Sequence, residues 1–134
     1  MNILVDTSVW SLALRRDSPS NCLEVTRLKM ALKGGEGVFT TGLILQELLQ
    51  GFRGPKARQR ILETFAVLPL VTPERKDHIA AADLKVKLRQ KGIQVGTIDV
   101  LLAQLCLRHG LSLLSTDKDF AHMSRYVPLP LMVG

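Results

Sequence analysis

Short apolar runs alternate along this chain with longer segments of helical spacing. Asn2 to Val5 is apolar on both faces, as a central parallel strand must be, and Asp6-Thr7-Ser8 follows at its carboxyl end. The pattern then predicts a helix through about Arg16, a break at Asp17-Ser18-Pro19, and a second helix with Pro19 in its first turn. That helix runs to about Leu32 and stops at Lys33-Gly34-Gly35-Glu36-Gly37. Val38 to Thr40 reads as a second strand, Leu43 to Gln50 as a helix, and Gly51 to Pro55 as a turn. A basic helix spans Lys56 to Phe65, and Val67-Leu68 reads as a short strand before Pro69. Thr72-Pro73 opens a helix whose body, Glu74 to Lys91, places Ile79, Ala82 and Val86 on one face.

Thr97 to His109 is apolar nearly all round, the mark of a buried helix, and Gly110 ends it. Leu111 to Leu114 is a third clear strand, and Asp117 to Arg125 a short helix or turn. Val127 to Val133 reads as a terminal strand confined to a sheet edge by Pro128 and Pro130. Strands alternating with helices predict an α/β fold with a mostly parallel central sheet. No internal repeat or linker interrupts the 134 residues, so one domain over positions 1–134 is expected. Composition agrees: 46% of residues are hydrophobic and only 4% aromatic, which calls for an aliphatic core.

Charge narrows the partners. The formal net charge is +6, which favours polyanions, with nucleic acid first and acidic membrane second. No apolar run approaches the roughly 20 residues needed to span a bilayer, so no membrane role is expected. Cys22 and Cys106 are far apart with no CxxC spacing, which suits a reducing compartment. Met1 to Asp6 has no basic n-region, so a cytoplasmic protein is expected.

The candidate chemistry is carboxylate. In open α/β sheets, functional groups gather beyond the carboxyl ends of strands. Asp6 follows the first strand, and Asp117 and Asp119 follow the third; Asp99 lies in the first turn of the buried helix. Taken singly, each has an ordinary role: Asp6 as a helix cap, Asp99 beside a helix N-terminus, Asp117 and Asp119 as turn residues. Glu47, among Leu43, Ile44, Leu45, Leu48 and Leu49, is harder to place without a partner.

Taken together the acids point elsewhere. Two carboxylates about 4 Å apart repel by roughly 4 kcal/mol at an effective dielectric near 20, and only Lys118 is interleaved among them. A divalent cation is the economical neutraliser. Oxygen ligands without His or Cys select Mg²⁺ or Mn²⁺ over Zn²⁺, and His78, His109 and His122 share no ligand spacing. Such a site in a basic protein suits phosphodiester hydrolysis, in which metal ions neutralise phosphate and activate water. Thr7, Ser8 and Thr116 stand where they can hold water or a non-bridging oxygen, or cap helices.

These residues resemble a known family. Ile3-Leu4-Val5-Asp6-Thr7-Ser8-Val9-Trp10 is similar to the opening of PIN-domain proteins. Leu45-Gln46-Glu47-Leu48, Ile98-Asp99-Val100-Leu101-Leu102-Ala103 and Ser115-Thr116-Asp117-Lys118-Asp119-Phe120 resemble the second, third and fourth motifs, in order, across essentially the whole chain. The compact size and the Asp-x-Asp-Phe ending resemble VapC toxins of type II toxin–antitoxin modules. The resemblance implies a PIN-like three-layer α/β/α sandwich and a Mg²⁺- or Mn²⁺-dependent endoribonuclease cutting structured RNA, either tRNA or rRNA. It also implies a homodimer and inhibition by a small cognate antitoxin. Asp6, Glu47, Asp99 and Asp117 then form the acidic, metal-holding core, with Asp119 as an auxiliary ligand and Thr7, Ser8 and Thr116 in support.

Basic residues cluster at Arg53, Lys56, Arg58 and Arg60, near the end of the Glu47 helix, where they are candidates for contact with RNA. A second cluster, Lys85, Lys87, Arg89 and Lys91, reads equally well as a solvated helix face. Trp10 and Phe52 read as core or interface packing, and Val9, Leu12, Ala13 and Leu23 as core or as a groove for an antitoxin helix. Two rivals remain: a PIN-like RNA-processing nuclease without antitoxin, and a phospho-receiver domain. The second would need paired acids after the first strand, and Asp6 stands alone there.

Overall fold

Three strands set the frame. The structure, a computed structural model, describes residues 1–15 and 22–132. In chain order the elements are β1 (Asn2–Val5), α1 (Thr7–Ala13), α2 (Leu23–Lys33), β2 (Gly37–Phe39), α3 (Gly42–Gly51) and α4 (Pro55–Phe65), followed by α5 (Arg75–Gln90), α6 (Thr97–His109), β3 (Ser112–Leu114) and α7 (Lys118–Met123). The sheet order is β2-β1-β3, and both pairings are parallel. Ile3, Leu4 and Val5 of the central strand are wholly buried. Successive strand residues point to opposite faces, so both faces must be covered, which gives the α/β sandwich its helical layers. Each such side chain contributes about 1.5–3 kcal/mol by leaving water.

The helices pack in two groups. α1 lies against α2 and α3, and α3 against α4, while α5 makes its largest contact with α6. Trp10 of α1 is buried against Phe65 of α4 with ring centroids 4.9 Å apart, so it belongs to the core. Between α5 and α6 the link is ionic. Asp77, completely buried, accepts from Arg108 Nε at 2.6 Å and from Arg108 Nη2 at 2.8 Å, and its Oδ2 also accepts the Glu74 amide at 2.8 Å. The guanidinium first, then the backbone amide, holds the Asp77 carboxyl down at about 2 despite burial. This pair joins the start of α5 to the end of α6, the helix whose other end carries Asp99.

Several boundaries differ from the pattern-based expectation, among them the start of α2, which falls at Leu23 with Cys22 as its N-cap. The Thr72-Pro73 start moves to Arg75, because Glu74 and Asp77 form a reciprocal capping box. Val67-Leu68 is a turn, with the Leu68 amide bonded to the Phe65 carbonyl, and the sheet contact falls instead to Leu70 opposite Thr40. Among residues 127–132 the terminal strand shrinks to a single parallel bridge, Leu131 with Leu113. Pro128 and Pro130 have no amide hydrogen to extend a ladder, and Pro130 enters only as an acceptor, from the Leu113 amide at 2.8 Å. α1 closes at Ala13, and the expected end at Arg16 and the break at Asp17-Ser18-Pro19 lie outside the described residues, as does Val133. The buried helix Thr97–His109 stands as predicted, closed by Gly110 in the left-handed region at φ 65°.

Candidate active site

Parallel register brings the two strand-end loops together. Val5 is paired with Leu114, so the residues that follow, Asp6 and Ser115, emerge side by side, and the Asp6 amide donates to the Leu114 carbonyl at 2.9 Å. Ser115 Oγ donates to Asp6 Oδ2 at 2.8 Å and Ser8 Oγ donates to the same oxygen at 2.9 Å. Although Asp6 occupies the N-cap position of α1, its side chain makes no capping bond. The carboxylate is held by hydroxyls and not by the amides of α1. Ser115 Oγ also accepts the Asp117 amide at 3.0 Å, and Ser8 Oγ accepts the Thr116 amide at 3.1 Å. Two hydroxyls thus tie the β1 and β3 loops together.

Glu47 comes from α3, whose N-cap Thr41 accepts from the Ile44 amide. Thr7 Oγ1 donates to Glu47 Oε1 at 2.8 Å, which holds this half-buried acid beside the start of α1. Asp117 caps α7 by accepting the Asp119 amide through Oδ1 at 2.9 Å, so its ordinary helix role is also real. Asp99, Asp117 and Asp119 each offer an oxygen, and these oxygens lie within 4.8 Å of one another.

Electrostatics show how far the cluster extends. The Asp99 carboxyl is pushed up to about 6, first by burial and then by the negative charge of Asp117, Asp6, Asp119 and Glu47. All four other acids act on one carboxyl, so the five form a single electrostatic unit. Among the described residues none of the five is ion-paired with a Lys or Arg. The contrast with Asp77 is direct, because that more deeply buried acid is fully compensated. Carboxylate oxygens at this spacing, uncompensated and with no His or Cys among them, fit a hard divalent cation.

Comparison with known proteins now bears on the arrangement. The PIN domain family model matches residues 3–126. The chain belongs to the PIN domain family. No curated protein sequence matches it. Among solved structures it is similar to VapBC2 from Rickettsia felis bound to a promoter DNA fragment, with a TM-score of 0.76 at 20% identity over 98% of each chain. It is also similar to FitAcB from Neisseria gonorrhoeae, with a TM-score of 0.71 at 19% identity over 98% of this chain and 96% of that one. A third similar structure is VapC20 of Mycobacterium tuberculosis, described as a sarcin-ricin-loop-cleaving toxin. It gives a TM-score of 0.67 at 17% identity over 90% of this chain and 94% of that one. At these identities the likeness shows the fold.

Within this PIN fold every acid named from the sequence falls in or beside the cluster. The supporting hydroxyls are distributed differently. Thr7 bonds Glu47 and Ser8 bonds Asp6, but Thr116 enters through its backbone amide, and the side-chain role at that loop falls to Ser115. Sequence reasoning passed over Ser115, although its position directly after β3 was a signal for it. Arg15 was passed over too. It lies with Ser11, Glu47, Gly51 and Phe52 around a cavity of about 200 Å³ at the Glu47 edge of the cluster. Arg53, Lys56 and Arg60 line a second cavity of about 350 Å³, whereas Arg58 is exposed and lines neither. Lys85 of the second basic group donates to Thr97 Oγ1 at 3.2 Å, two residues before Asp99. Val9 is core, Leu12 and Ala13 pack partly against it, and Leu23 is 65% exposed.

Proposed function

We propose that this chain is a metal-dependent endoribonuclease of the VapC kind, the toxin of a toxin–antitoxin pair. The observation that carries the reading is the meeting of Asp99, Asp117 and Asp119 oxygens within 4.8 Å, with Asp6 and Glu47 close enough for their charge to help raise the Asp99 carboxyl. Such a cluster is stable near neutral pH when a divalent cation neutralises it, and Mg²⁺ or Mn²⁺ suits a set of carboxylate oxygens alone. When bound, the ion offsets phosphate charge, activates water and stabilises the leaving oxygen.

The rest is the work of the chain. Asp6, Glu47, Asp99 and Asp117 are the catalytic acids, and Asp119 completes the ion's surroundings. Ser8 and Ser115 fix the Asp6 rotamer through Oδ2, and Thr7 fixes Glu47, so the acids keep their spacing when substrate arrives. Hydrolysis adds the elements of water across a P–O bond, the hydroxyl to phosphorus and the proton to the departing ribose oxygen. A tRNA or an rRNA loop is the expected substrate class. The VapC20 neighbour, described as cleaving the sarcin-ricin loop, supports an RNA target, and the VapBC neighbours support a cognate antitoxin. We read residues 1–134 as one such domain, acting in the cytoplasm as a homodimer.

The test is to incubate the purified protein with total RNA in Mg²⁺ or Mn²⁺ and map new ends by sequencing. Cleavage at defined sites is expected. It disappears in excess EDTA and in Asp6→Asn, while the circular dichroism spectrum of the variant stays native. Full activity in Asp6→Asn overturns the site assignment, and activity in excess EDTA overturns the metal requirement.

A further inference from the structure

Two cavities near the end of α3 share walls, and one of them is bordered by a carboxylate of the cluster. The smaller, about 200 Å³, is lined by Ser11, Arg15, Glu47, Gly51 and Phe52. The larger, about 350 Å³, includes Arg15 and Phe52 again and continues to Arg53, Lys56 and Arg60. They are therefore neighbours, one bordered by Glu47 of the cluster and the other by residues of α4. The larger cavity carries four cations in its wall, and Glu63 joins Lys56 and Arg60 only around a further cavity on α4. Among the described residues none of these four is ion-paired.

Helical geometry explains which basic residues take part. Lys56 and Arg60 are one turn apart on a single face of α4, about 6 Å along the axis, comparable with the spacing of successive phosphates in a single strand. Arg58 is roughly 200° around the helix from Lys56 and lines neither cavity. Arg60 is also incompletely satisfied. Its Nε is buried without an acceptor among the described residues, although native proteins satisfy most such donors. Four uncompensated cations in a concave wall focus a positive potential on whatever lies between them.

We propose that a single RNA strand leaves the carboxylate cluster over Glu47 and runs along this groove, its phosphates held by Arg15, Lys56 and Arg60. The proposal rests on the ribonuclease reading above and adds the strand's path and the residues that grip it. Arg53 also lines the larger cavity, and Phe52 lines both.

The experiment uses a fluorescein-labelled, mixed-sequence 20-nucleotide RNA, followed by anisotropy in EDTA so that nothing is cut. The double variant Arg15→Gln/Lys56→Gln is compared with Lys87→Gln/Lys91→Gln, which removes the same charge elsewhere. All four residues are exposed, so melting temperatures should match wild type. The groove variant should bind about 10-fold more weakly, with a salt slope shallower by about 1.4, as two lost single-strand phosphate contacts require. The other double variant should change less than about twofold. In Mg²⁺ the groove variant should raise KM and keep kcat. Equal losses in both double variants would reduce the effect to net charge and overturn the path. RNA that neither binds nor is cut by wild type defeats the ribonuclease reading itself, whereas wild-type binding and cutting with an unaffected groove variant defeats only the path. Poly-L-glutamate that binds wild type and not the groove variant, with RNA binding unchanged, would assign the groove to an acidic polypeptide and also overturn it.

Discussion

Asp99→Asn should stabilise the metal-free protein at neutral pH and leave it unchanged in acid. In the folded chain the Asp99 carboxyl titrates at about 6 instead of 3.8, through burial and four neighbouring acids. Between those values the folded state holds a proton that the unfolded state has released. The contribution to stability is therefore fully present below about 3.8 and is lost as pH rises through about 6. The full shift corresponds to roughly 3 kcal/mol. Asp99 is only half-buried, and solvent screening reduces the cost of its charge at pH 7.5 to about 1.5 kcal/mol. Asparagine imitates the protonated acid and removes that cost. For a chain of this size the gain is roughly 5 °C in Tm. Thermal melts in EDTA at pH 7.5 and pH 3 provide the assay, with a difference of under about 1 °C expected at the lower pH, which lies below the unfolded value of 3.8. Millimolar Mg²⁺ should raise the Tm of wild type far more than that of the variant, since ligand binding to the folded state adds stability. A variant that melts lower at pH 7.5, or gains equally at both pH values, refutes the claim that Asp99 carries unrelieved charge.

Two further outcomes follow from named contacts. Ser115→Ala removes a donor to Asp6 and the acceptor for the Asp117 amide. RNA cleavage should fall about 10–100-fold with a loss of only about 1 kcal/mol in urea melts, and Ser115→Thr should restore most of the rate. Asp77→Asn should leave cleavage intact below the melting temperature but cost about 2 kcal/mol, because the Arg108 guanidinium loses its carboxylate. Because the Asp77 carboxyl is held down at about 2, the wild-type advantage should persist to about pH 4 and vanish as pH falls through about 2.

Elements whose periodicity and end signals agreed were legible from the sequence. β1 spans Asn2–Val5 and α6 spans Thr97–His109, both as their patterns predict, because a doubly buried strand and an all-round apolar helix admit few alternatives. Boundaries set by a distant or reciprocal partner were not. Glu74 caps α5 only because Asp77 folds back on it, and the same Asp77 oxygens are fixed by Arg108, 31 residues away. The terminal segment had strand-like residues, yet its two prolines leave too few donors for more than one bridge.

The acids were legible for a different reason from the hydroxyls and cations that serve them. An Asp directly after an apolar strand, or a Glu inside an apolar helix, stands out against its neighbours. Ser115 and Arg15 do not, since each gains its meaning from residues remote in sequence, Asp6 across the sheet and Glu47 across the cavity. Burial does not separate functional acids from structural ones either. Asp77 is more buried than Asp99, yet its carboxyl is driven to about 2 while that of Asp99 rises to about 6. The difference is compensation. Arg108 is spent on Asp77, whereas Arg15 borders the cavity of Glu47, and Lys56 and Arg60 the next one, without pairing to the acids. Keeping acids and cations apart in neighbouring pockets leaves one set open to a divalent ion and the other to phosphate. On the proposed reading, a substrate strand with its metal ion satisfies both at once.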